Sequence, residues 1–267
     1  MSRLRLAVVG AGHLGRIHAR LASEAENIQL QAVVDPVAEA REQLADQLQT
    51  KPLEDYRELF GQVDAAIVAS PTSTHFEVVS ELLRGGVHVL VEKPITTTVE
   101  EADQLVALAR QQQLVLQVGH VERFNPAFTG VRDKLAEPKF IEARRLSGYT
   151  FRSTIRASQL GLKTMIVERD DIDAVLSLVQ SPVTDVEALG ISVMGGHEDM
   201  ASARIRFASG CVANFTASRV SYENARRLQV FTPRAFASID FGNRCSTFIE
   251  PDSSIIERTY QKDSLSD

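Results

Sequence analysis

Apolar runs of five to seven residues alternate with longer amphipathic stretches through the first 120 residues of this chain. The runs are largely continuous, which is typical of strands buried on both faces of a parallel sheet. The stretches between them repeat apolar residues at helical spacing and indicate covering helices. The pattern predicts strands at Leu4–Val9, Ile28–Val34, Ala65–Ala69, Val87–Val91 and Leu114–Val118, with helices at Leu14–Glu24, Val37–Gln49, Thr74–Arg84 and Thr98–Gln112.

Boundary signals support several of these helices. Thr98 and Glu101 have the spacing of a capping box, in which each side chain bonds to the other residue's amide. Gly85 and Gly86 end the preceding helix, since glycine adopts the backbone conformation of a helix C-terminus at little cost. The first helix is expected to bury one apolar side, made of Leu14, Ile17, Leu21 and Ala22.

The pattern changes after Gly119. Shorter strand-like runs follow one another closely, and tight connections such as Ala208–Gly210 indicate hairpins of an antiparallel sheet. We therefore predict an α/β N-terminal domain with a doubly wound parallel sheet over residues 1–120, and an α+β domain with a largely antiparallel sheet over 121–267. The second domain is predicted to contain helices at Pro126–Leu135 and Ala157–Val179 and strands at Val186–Met194, Ala201–Phe207, Cys211–Ala217, Arg227–Phe231, Ala235–Ile239 and Ser254–Tyr260.

Composition excludes some partners. The net charge is −6 and the pI is about 5.6, so the chain lacks the basic surface that nucleic acids require. No apolar run approaches the ~20 residues that span a bilayer, and no secretory segment precedes the first strand. These features predict a cytoplasmic protein without a membrane or nucleic-acid partner. The two cysteines, Cys211 and Cys245, are expected to be buried small apolar residues.

A glycine-rich turn, Gly10–Gly15, follows the first strand and opens the first helix. In such a turn the first glycine permits the tight bend, the second leaves room for a phosphate, and the third allows close packing of the helix. The amides at the helix N-terminus then attract the pyrophosphate of a dinucleotide. We therefore predict a Rossmann domain. The predicted cofactor contacts of the turn are Gly10, Ala11, Gly12, His13 and Leu14. His13 is either near phosphate or an exposed loop residue.

Asp35 ends the second strand, twenty residues after Gly15. A carboxylate at this place accepts hydrogen bonds from the ribose hydroxyls and repels a 2′-phosphate. The next basic residue is Arg41, and Pro36 follows Asp35 directly. The sequence therefore favours NAD over NADP.

Polar residues also follow the third predicted strand. Ligands of open α/β sheets bind beyond the carboxyl ends of the strands, so Ser70, Pro71, Thr72 and His75 are predicted cofactor contacts. The hydroxyls of this loop have a second possible role, since Ser73 or Thr74 is a suitable helix cap.

Glu92-Lys93-Pro94 follows the strand Val87–Val91 and is expected at the same edge of the sheet. An ammonium there can bond to a substrate hydroxyl or carbonyl oxygen and take part in proton transfer. We predict that Lys93 is catalytic and that Glu92 and Lys93 line the cofactor site. Proline is the residue that accommodates a cis peptide, and Pro94 is a candidate for one.

These motifs, in this order, resemble the Gfo/Idh/MocA oxidoreductases (glucose-fructose oxidoreductase, inositol dehydrogenase and rhizopine catabolism proteins). The strings Gly119-His120, Arg123–Pro126 and Ala217–Ser221 look most like members that act on nucleotide-linked amino sugars, such as UDP-N-acetylglucosamine 3-dehydrogenases. The resemblance implies oxidation of a sugar hydroxyl to a ketone with NAD(P), a catalytic Lys93, a substrate contact from Arg123, and a homo-oligomer assembled through the C-terminal sheet. His120 is either a contact of the substrate or nicotinamide, or a packing residue.

The chain departs from the family pattern on one helix. The family usually carries an Asp and, four residues later, a His before Asp-Ile-Asp; here Ile166 and Asp170 take those places before Asp171–Asp173. Three interpretations follow: Asp170 is the base, Lys93 transfers the proton alone, or the protein is a catalytically impaired dinucleotide- or sugar-nucleotide-binding protein. The chain also ends before a further long helix that members usually contain.

Other charged clusters carry weaker signals. His197-Glu198-Asp199 follows two glycines and is interpreted as a loop, because a metal site needs more converging ligands; no metal is predicted. Two pairs of bases are either a cradle for a sugar-nucleotide diphosphate or solvated strand ends. They are Arg144-Arg145 and Arg226-Arg227.

Overall fold

Parallel strands and covering helices alternate through the first part of the chain, as the apolar pattern predicts. The computed structural model describes residues 3–148, 169–194 and 198–251, and the chain divides between His120 and Val121 into two compact units. The first unit contains strands β1 Leu4–Val9, β2 Ile28–Val34, β3 Lys51–Leu53, β4 Ala65–Val68, β5 His88–Val91 and β6 Leu116–Val118, with helices α1 His13–Glu24, α2 Ala38–Leu48, α3 Thr72–Arg84 and α4 Val99–Gln112.

The six strands are parallel and lie in the order β3-β2-β1-β4-β5-β6. The strand order therefore reverses between β1 and β4, and in doubly wound sheets such a reversal opens a crevice at the carboxyl ends of the strands. Apolar cores lie on both faces: one contains Leu82, Leu83 and Leu105, and the other Val8, Val33 and Leu44. The predicted parallel sheet is confirmed, and the short edge strand β3 is an addition to it.

Helix α1 packs differently from the prediction. Leu14, Ile17 and Leu21 are 44%, 37% and 51% exposed. The buried face consists of Gly15, Ala19 and Ala22, so the prediction is right for Ala22 and wrong for the three larger residues. Small residues bring the helix axis close to the sheet, and this close approach, rather than apolar bulk, selects the face.

The capping box of helix α4 is present as predicted. The Thr98 hydroxyl accepts from the Glu101 amide, and the Glu101 carboxylate accepts from the Thr98 amide. Helix α3 ends at Arg84 with Gly85 as its C-cap, which also agrees with the sequence.

The second unit is built on a seven-stranded sheet in the order β13-β12-β11-β7-β10-β9-β8. The pair β7–β10 is parallel and the other described pairs are antiparallel, so the predicted mixed character is confirmed. Its elements are β7 Phe140–Gly148, β8 Val183–Ile191, β9 Met200–Phe207, β10 Val212–Ser221, β11 Ala225–Phe231, β12 Phe236–Asp240 and β13 Cys245–Ile249, with helices α5 Pro126–Thr129 and α6 Arg169–Leu178.

Several predictions for this unit need correction. The helix predicted at Pro126–Leu135 is two pieces, α5 and a 3₁₀ turn at Arg132–Lys134. Strand β7 was not predicted, because its charged residues are typical of a solvent-exposed segment. In the structure it is a central strand of the sheet, and Ile141 and Ala143 are buried. The predicted strand Ser254–Tyr260 and most of the predicted helix Ala157–Val179 lie outside the described residues.

The described residues of this unit form a core between the sheet and helices α5 and α6, which includes Phe128, Ile141 and Phe215. Cys211 is buried in it, whereas Cys245 is exposed, so the prediction of two buried cysteines is right for the first and wrong for the second. Within the described ranges, no helix combines the length and apolar content needed to cross a bilayer.

Candidate functional site

The predicted cofactor residues lie at one edge of the first sheet, because the carboxyl ends of parallel strands share an edge. Gly10 follows β1, Asp35 follows β2, Ser70 follows β4 and Lys93 follows β5. The β1 and β4 loops touch: a Cβ on Gly10 would lie 2.7 Å from the carbonyl carbon of Ala69. The structure therefore brings Gly10, Asp35, Ser70 and Lys93 to one edge of the sheet, beside the strand reversal.

The three glycines of the turn differ in their surroundings. Gly10 has φ +104°, a conformation that L side chains rarely adopt. A Cβ on Gly15 would lie 1.7 Å from the Gly10 carbonyl oxygen, so only glycine permits this helix packing. A Cβ on Gly12 would meet nothing within 4 Å, so the space beside this residue is open, and a phosphate could approach the main chain there.

Helix α1 presents an uncapped N-terminus to that space. Gly12 is the N-cap and supplies no side-chain hydrogen bond, and the first turn contains no acidic residue. The first amides of a helix carry a partial positive charge and need acceptors. His13 and Leu14 are exposed at this end. The turn thus suits a pyrophosphate, with backbone amides as its donors.

Asp35 is fixed by main-chain donors on both sides. Its Oδ2 accepts from the Ala11 amide at 2.7 Å, and its Oδ1 accepts from the Val37 amide at 2.9 Å. Arg41, the nearest following cation, donates to the carbonyls of Asp35 and Pro36 and pairs with a carboxylate at 3.3 Å, that of Glu54. The carboxylate therefore follows β2 at the sheet edge, while the Arg41 guanidinium beside it is occupied by two main-chain carbonyls and the Glu54 carboxylate, an arrangement that fits NAD.

The loop after β4 is held by its own hydroxyls. Thr74 Oγ1 donates to the Pro71 carbonyl at 2.8 Å and lies 2.8 Å from Ser70 Oγ. Helix α3 begins at Thr72, with Pro71 as an N-cap that makes no side-chain bond. The alternative in which Ser73 or Thr74 caps the helix is therefore wrong, and the cofactor contacts of Ser70, Pro71 and Thr72 stay predictions.

His75 is a support of two loops. The ring is 1% exposed, with Nε2 2.9 Å from the Ser70 carbonyl oxygen and Nδ1 2.8 Å from the Pro94 carbonyl oxygen. Both ring nitrogens thus face main-chain carbonyl oxygens, and the contact of His75 with the cofactor stays a prediction beside this structural role. The imidazole joins the Ser70 loop to the Lys93 loop.

Glu92 is buried directly before Lys93. Its Oε1 lies 2.7 Å from His18 Nε2, and its Oε2 accepts from the Lys93 amide at 3.3 Å. Burial raises the pKa of the Glu92 carboxyl, but the hydrogen bond and charge of His18, with the Lys93 amide and charge, hold it below its ordinary value. Lys93 itself is half-buried, and its peptide bond to Pro94 is cis, as anticipated.

The substrate candidates receive different surroundings. His120 is half-buried immediately after β6. In the second unit, the Arg123 guanidinium forms a two-point ion pair with Asp173, with Nη2 2.6 Å from Oδ1. The Arg123 side chain is nevertheless 46% exposed, so its predicted contact with substrate stays a prediction beside this structural role.

Helix α6 carries the proposed alternative base. Asp170 lies in its first turn and is 3% exposed. The next residue, Asp171, pairs with Arg145 at 2.8 Å, and both side chains are buried. Arg145 therefore belongs to a buried ion pair rather than to a diphosphate cradle. Ile166 lies outside the described residues. Among the residues that are described, no group of three His, Cys, Asp or Glu side chains is placed to hold a metal ion.

Sequence reasoning missed the roles of His18 and Gly119. His18 shares a helix face with Gly15 and Ala22, and this small-residue spacing is the signal that places it against the sheet. Gly119 is buried where a Cβ would lie 3.1 Å from the Glu92 carboxylate. Both residues complete the surroundings of Glu92.

Comparison with known proteins gives a consistent answer. Residues 4–120 match the model of the oxidoreductase family with an NAD-binding Rossmann fold (Gfo/Idh/MocA). The chain is 38% identical over 244 residues to UDP-N-acetylglucosamine 3-dehydrogenase of Acidithiobacillus ferrooxidans. The aligned region covers 91% of this chain and 76% of that protein. It is 28% identical over 233 residues to the NAD(+)-dependent scyllo-inositol 2-dehydrogenase of Bacillus subtilis, covering 82% of this chain and 68% of that protein.

A solved structure supports the same relationship. The UDP-N-acetylglucosamine 3-dehydrogenase of Acidithiobacillus ferrooxidans superimposes with a TM-score of 0.84 at 37% identity, over 94% of this chain and 81% of that one. The similarity thus extends through both units, beyond the glycine turn and its sheet. Taken with the crevice geometry, it shows that this chain belongs to the Gfo/Idh/MocA family of NAD-binding oxidoreductases.

Proposed function

We propose that this chain oxidises a secondary hydroxyl of a sugar or sugar nucleotide to a ketone, with NAD as the electron acceptor. The observation that carries this proposal is the identity of 38% to UDP-N-acetylglucosamine 3-dehydrogenase over both units. The placement of Lys93 at the carboxyl end of β5, in the sheet edge that carries Gly10 and Asp35, supports it from the geometry. The substrate class expected is a UDP-linked amino sugar.

Each part of the crevice has a distinct task in this function. NAD, when bound, supplies the carbon that accepts hydride. The amides that begin α1 bind the diphosphate, and the Asp35 carboxylate accepts from ribose hydroxyls. The Lys93 ammonium donates a hydrogen bond to the substrate oxygen and favours loss of its proton as the carbonyl forms.

The second unit supplies the remaining assignments of this proposal. Asp170, in the acidic first turn of helix α6, is the candidate proton acceptor. Arg123 is a candidate substrate contact. We further propose that the sheet of this unit forms a homo-oligomer contact, since all nine residues of β8 are exposed. An acidic composition and two free thiols support a cytoplasmic location.

The test is NADH formation by the purified chain with NAD and UDP-N-acetylglucosamine. Lys93→Met keeps a long side chain but removes its charge. It is expected to lower turnover by about 100-fold or more, the usual contribution of acid–base catalysis. NAD affinity, measured by calorimetry, is expected to stay within a few-fold. The matched control is Lys51→Met, because Lys51 is an exposed lysine on strand β3 of the same unit.

Robust NADH formation by Lys93→Met would contradict the role of the lysine. NAD binding without turnover in the unaltered chain, with a panel of sugars and UDP-sugars, would instead support the binding-protein alternative that the replaced Asp/His pair raises. An absence of NAD binding by folded protein would reject both functions.

A further inference from the structure

The Glu92 carboxylate is a buried charge with defined partners. The side chain is 6% exposed, and a buried carboxylate is costly unless hydrogen bonds or ion pairs compensate it. Oε1 lies 2.7 Å from His18 Nε2, and Oε2 accepts from the amide of Lys93 at 3.3 Å. One oxygen therefore faces helix α1, and the other holds the main chain of the catalytic candidate.

The surroundings leave Glu92 little freedom. The Gly119 amide donates to the Val91 carbonyl, which brings β6 directly beside the carboxylate. A Cβ on Gly119 would lie 3.1 Å from both Cδ and Oε1 of Glu92. That separation is tighter than ordinary contact, so a side chain at this position would displace the carboxylate by a few tenths of an ångström. Glu92 is thus enclosed by β6, α1 and its own strand end.

His18 connects this enclosure to the cofactor helix. It lies on α1, about one turn after Gly15, and its side chain is 17% exposed. The N-terminus of that same helix is the proposed seat of the pyrophosphate. Helix α1 therefore has the proposed diphosphate site at its N-terminus and His18, the partner of Glu92, in its second turn.

Charge fixes the direction of these contacts. The pKa of Glu92 lies below its ordinary value because His18 and Lys93 outweigh burial, so the side chain is an anion at neutral pH. An anion only accepts hydrogen bonds. His18 must therefore donate through Nε2, and the Lys93 amide donates to the other oxygen.

We propose that Glu92 is a positioning residue for Lys93 and that His18 orients Glu92; this rests on the proposed catalytic role of Lys93. The pair holds the backbone of Lys93 relative to helix α1, and so relative to the cofactor. Because a displacement of about 1 Å at a reacting group can cost on the order of 100-fold in rate, such anchoring affects catalysis without touching substrate.

The first measurement separates binding from turnover. Glu92→Gln keeps the shape but removes the charge, and His18→Leu removes the N–H donor; each is expected to lower kcat roughly 10- to 100-fold, with KM for NAD within a few-fold. The double variant is expected to lose no more than the worse single variant, because the two residues act as one unit. Glu100→Gln, an exposed glutamate at the start of α4, is the matched control.

The second measurement uses protein without NAD or substrate. Lys93 is labelled with an amine-reactive reagent at fixed pH, and the modified peptide is quantified by mass spectrometry. Glu92→Gln is expected to label Lys93 several-fold faster, since a main chain that is no longer held in place exposes the half-buried amine more often. Lys51 in the same molecule is the internal reference, and its labelling rate should stay constant.

The outcomes are distinguishable. If folded Glu92→Gln and His18→Leu retain normal kcat and normal Lys93 labelling, while Lys93→Met is inactive, the positioning proposal alone is rejected. If Lys93→Met is itself active, the catalytic role of Lys93 is rejected, and the positioning proposal is rejected with it. If Glu92→Gln does not fold, His18→Leu provides the same two readouts, and unchanged values there overturn the proposal.

Discussion

Three glycines within six residues tolerate a methyl group to very different degrees. Gly15 meets the Gly10 carbonyl oxygen at 1.7 Å, Gly10 has a positive φ, and Gly12 faces open space at an ordinary φ of −70°. The same residue type therefore serves packing at one position and ligand access at another. Only the second role should be separable from folding.

Gly12→Ala and Gly15→Ala test this separation. Gly12→Ala is expected to change the free energy of unfolding by less than about 1 kcal/mol, because alanine accepts this backbone conformation but is a weaker N-cap than glycine. Its NAD affinity should fall about tenfold or more as the methyl group enters the phosphate space. Gly15→Ala should cost about 1–3 kcal/mol of stability through overpacking.

Urea unfolding and NAD calorimetry on both variants decide the matter. Normal NAD affinity in Gly12→Ala would show that the pyrophosphate does not lie against this residue. A fully stable Gly15→Ala protein would contradict the close helix contact.

Sequence reasoning placed single residues well where a local motif defines their task. Asp35 and Lys93 stand where strand ends predicted them. The partners of His75 and His18 were not predictable, because each ring reaches acceptors on another strand end. Such contacts depend on the three-dimensional separation of strands, which periodicity does not encode.

At the scale of elements, helix α4 is defined at its start by reciprocal side-chain bonds. Thr98 accepts from the Glu101 amide at 3.2 Å, and the Glu101 carboxylate accepts from the amides of Thr97 and Thr98. These contacts satisfy amides that have no partner within the helix. They also hold the pKa of Glu101 below its ordinary value, through the Thr97 hydroxyl first.

Thr98→Ala is expected to lower the free energy of unfolding by about 1 kcal/mol, the usual cost of losing an N-cap oxygen. Thr98→Ser keeps the hydroxyl and should lose only a small part of that amount. Urea denaturation measures both values. Equal stability of the alanine and serine variants would mean that the cap makes no net contribution.

Elements with a mixed pattern were the hardest to predict. Strand β7 carries Glu142, Arg144 and Arg145 among its nine residues, which reads as a solvated segment. In the sheet its apolar residues face the core, while Arg145 is neutralised by Asp171 from helix α6. A long-range ion pair thus permits a charged residue in a central strand, and no local signal announces it.

At the scale of the whole molecule, the two units carry separate apolar cores. Leu82 and Leu105 belong to the first, and Phe128 and Phe215 to the second. The α/β and α+β classes were both predictable, because the change in hydrophobic periodicity after Gly119 is strong. Strand order in the second sheet was not, since the parallel pairing of β7 with β10 joins residues far apart in sequence.

A cofactor site in the first unit predicts that NAD stabilises the full chain in calorimetric unfolding. A ligand at 100 times its Kd stabilises the folded protein by about 2.7 kcal/mol. The transition that contains the first unit should therefore rise by several degrees. An unchanged transition at that NAD concentration would contradict binding by the folded first unit.

The two cysteines differ in exposure, which allows one of them to be labelled selectively for spectroscopy. Burial raises the pKa of the Cys211 thiol, while Cys245 lies exposed on β13. Since thiolate character and access govern reactivity, a maleimide dye should attach at Cys245 and leave Cys211 unmodified. The natural chain can therefore carry one fluorophore on its second unit without any engineered residue.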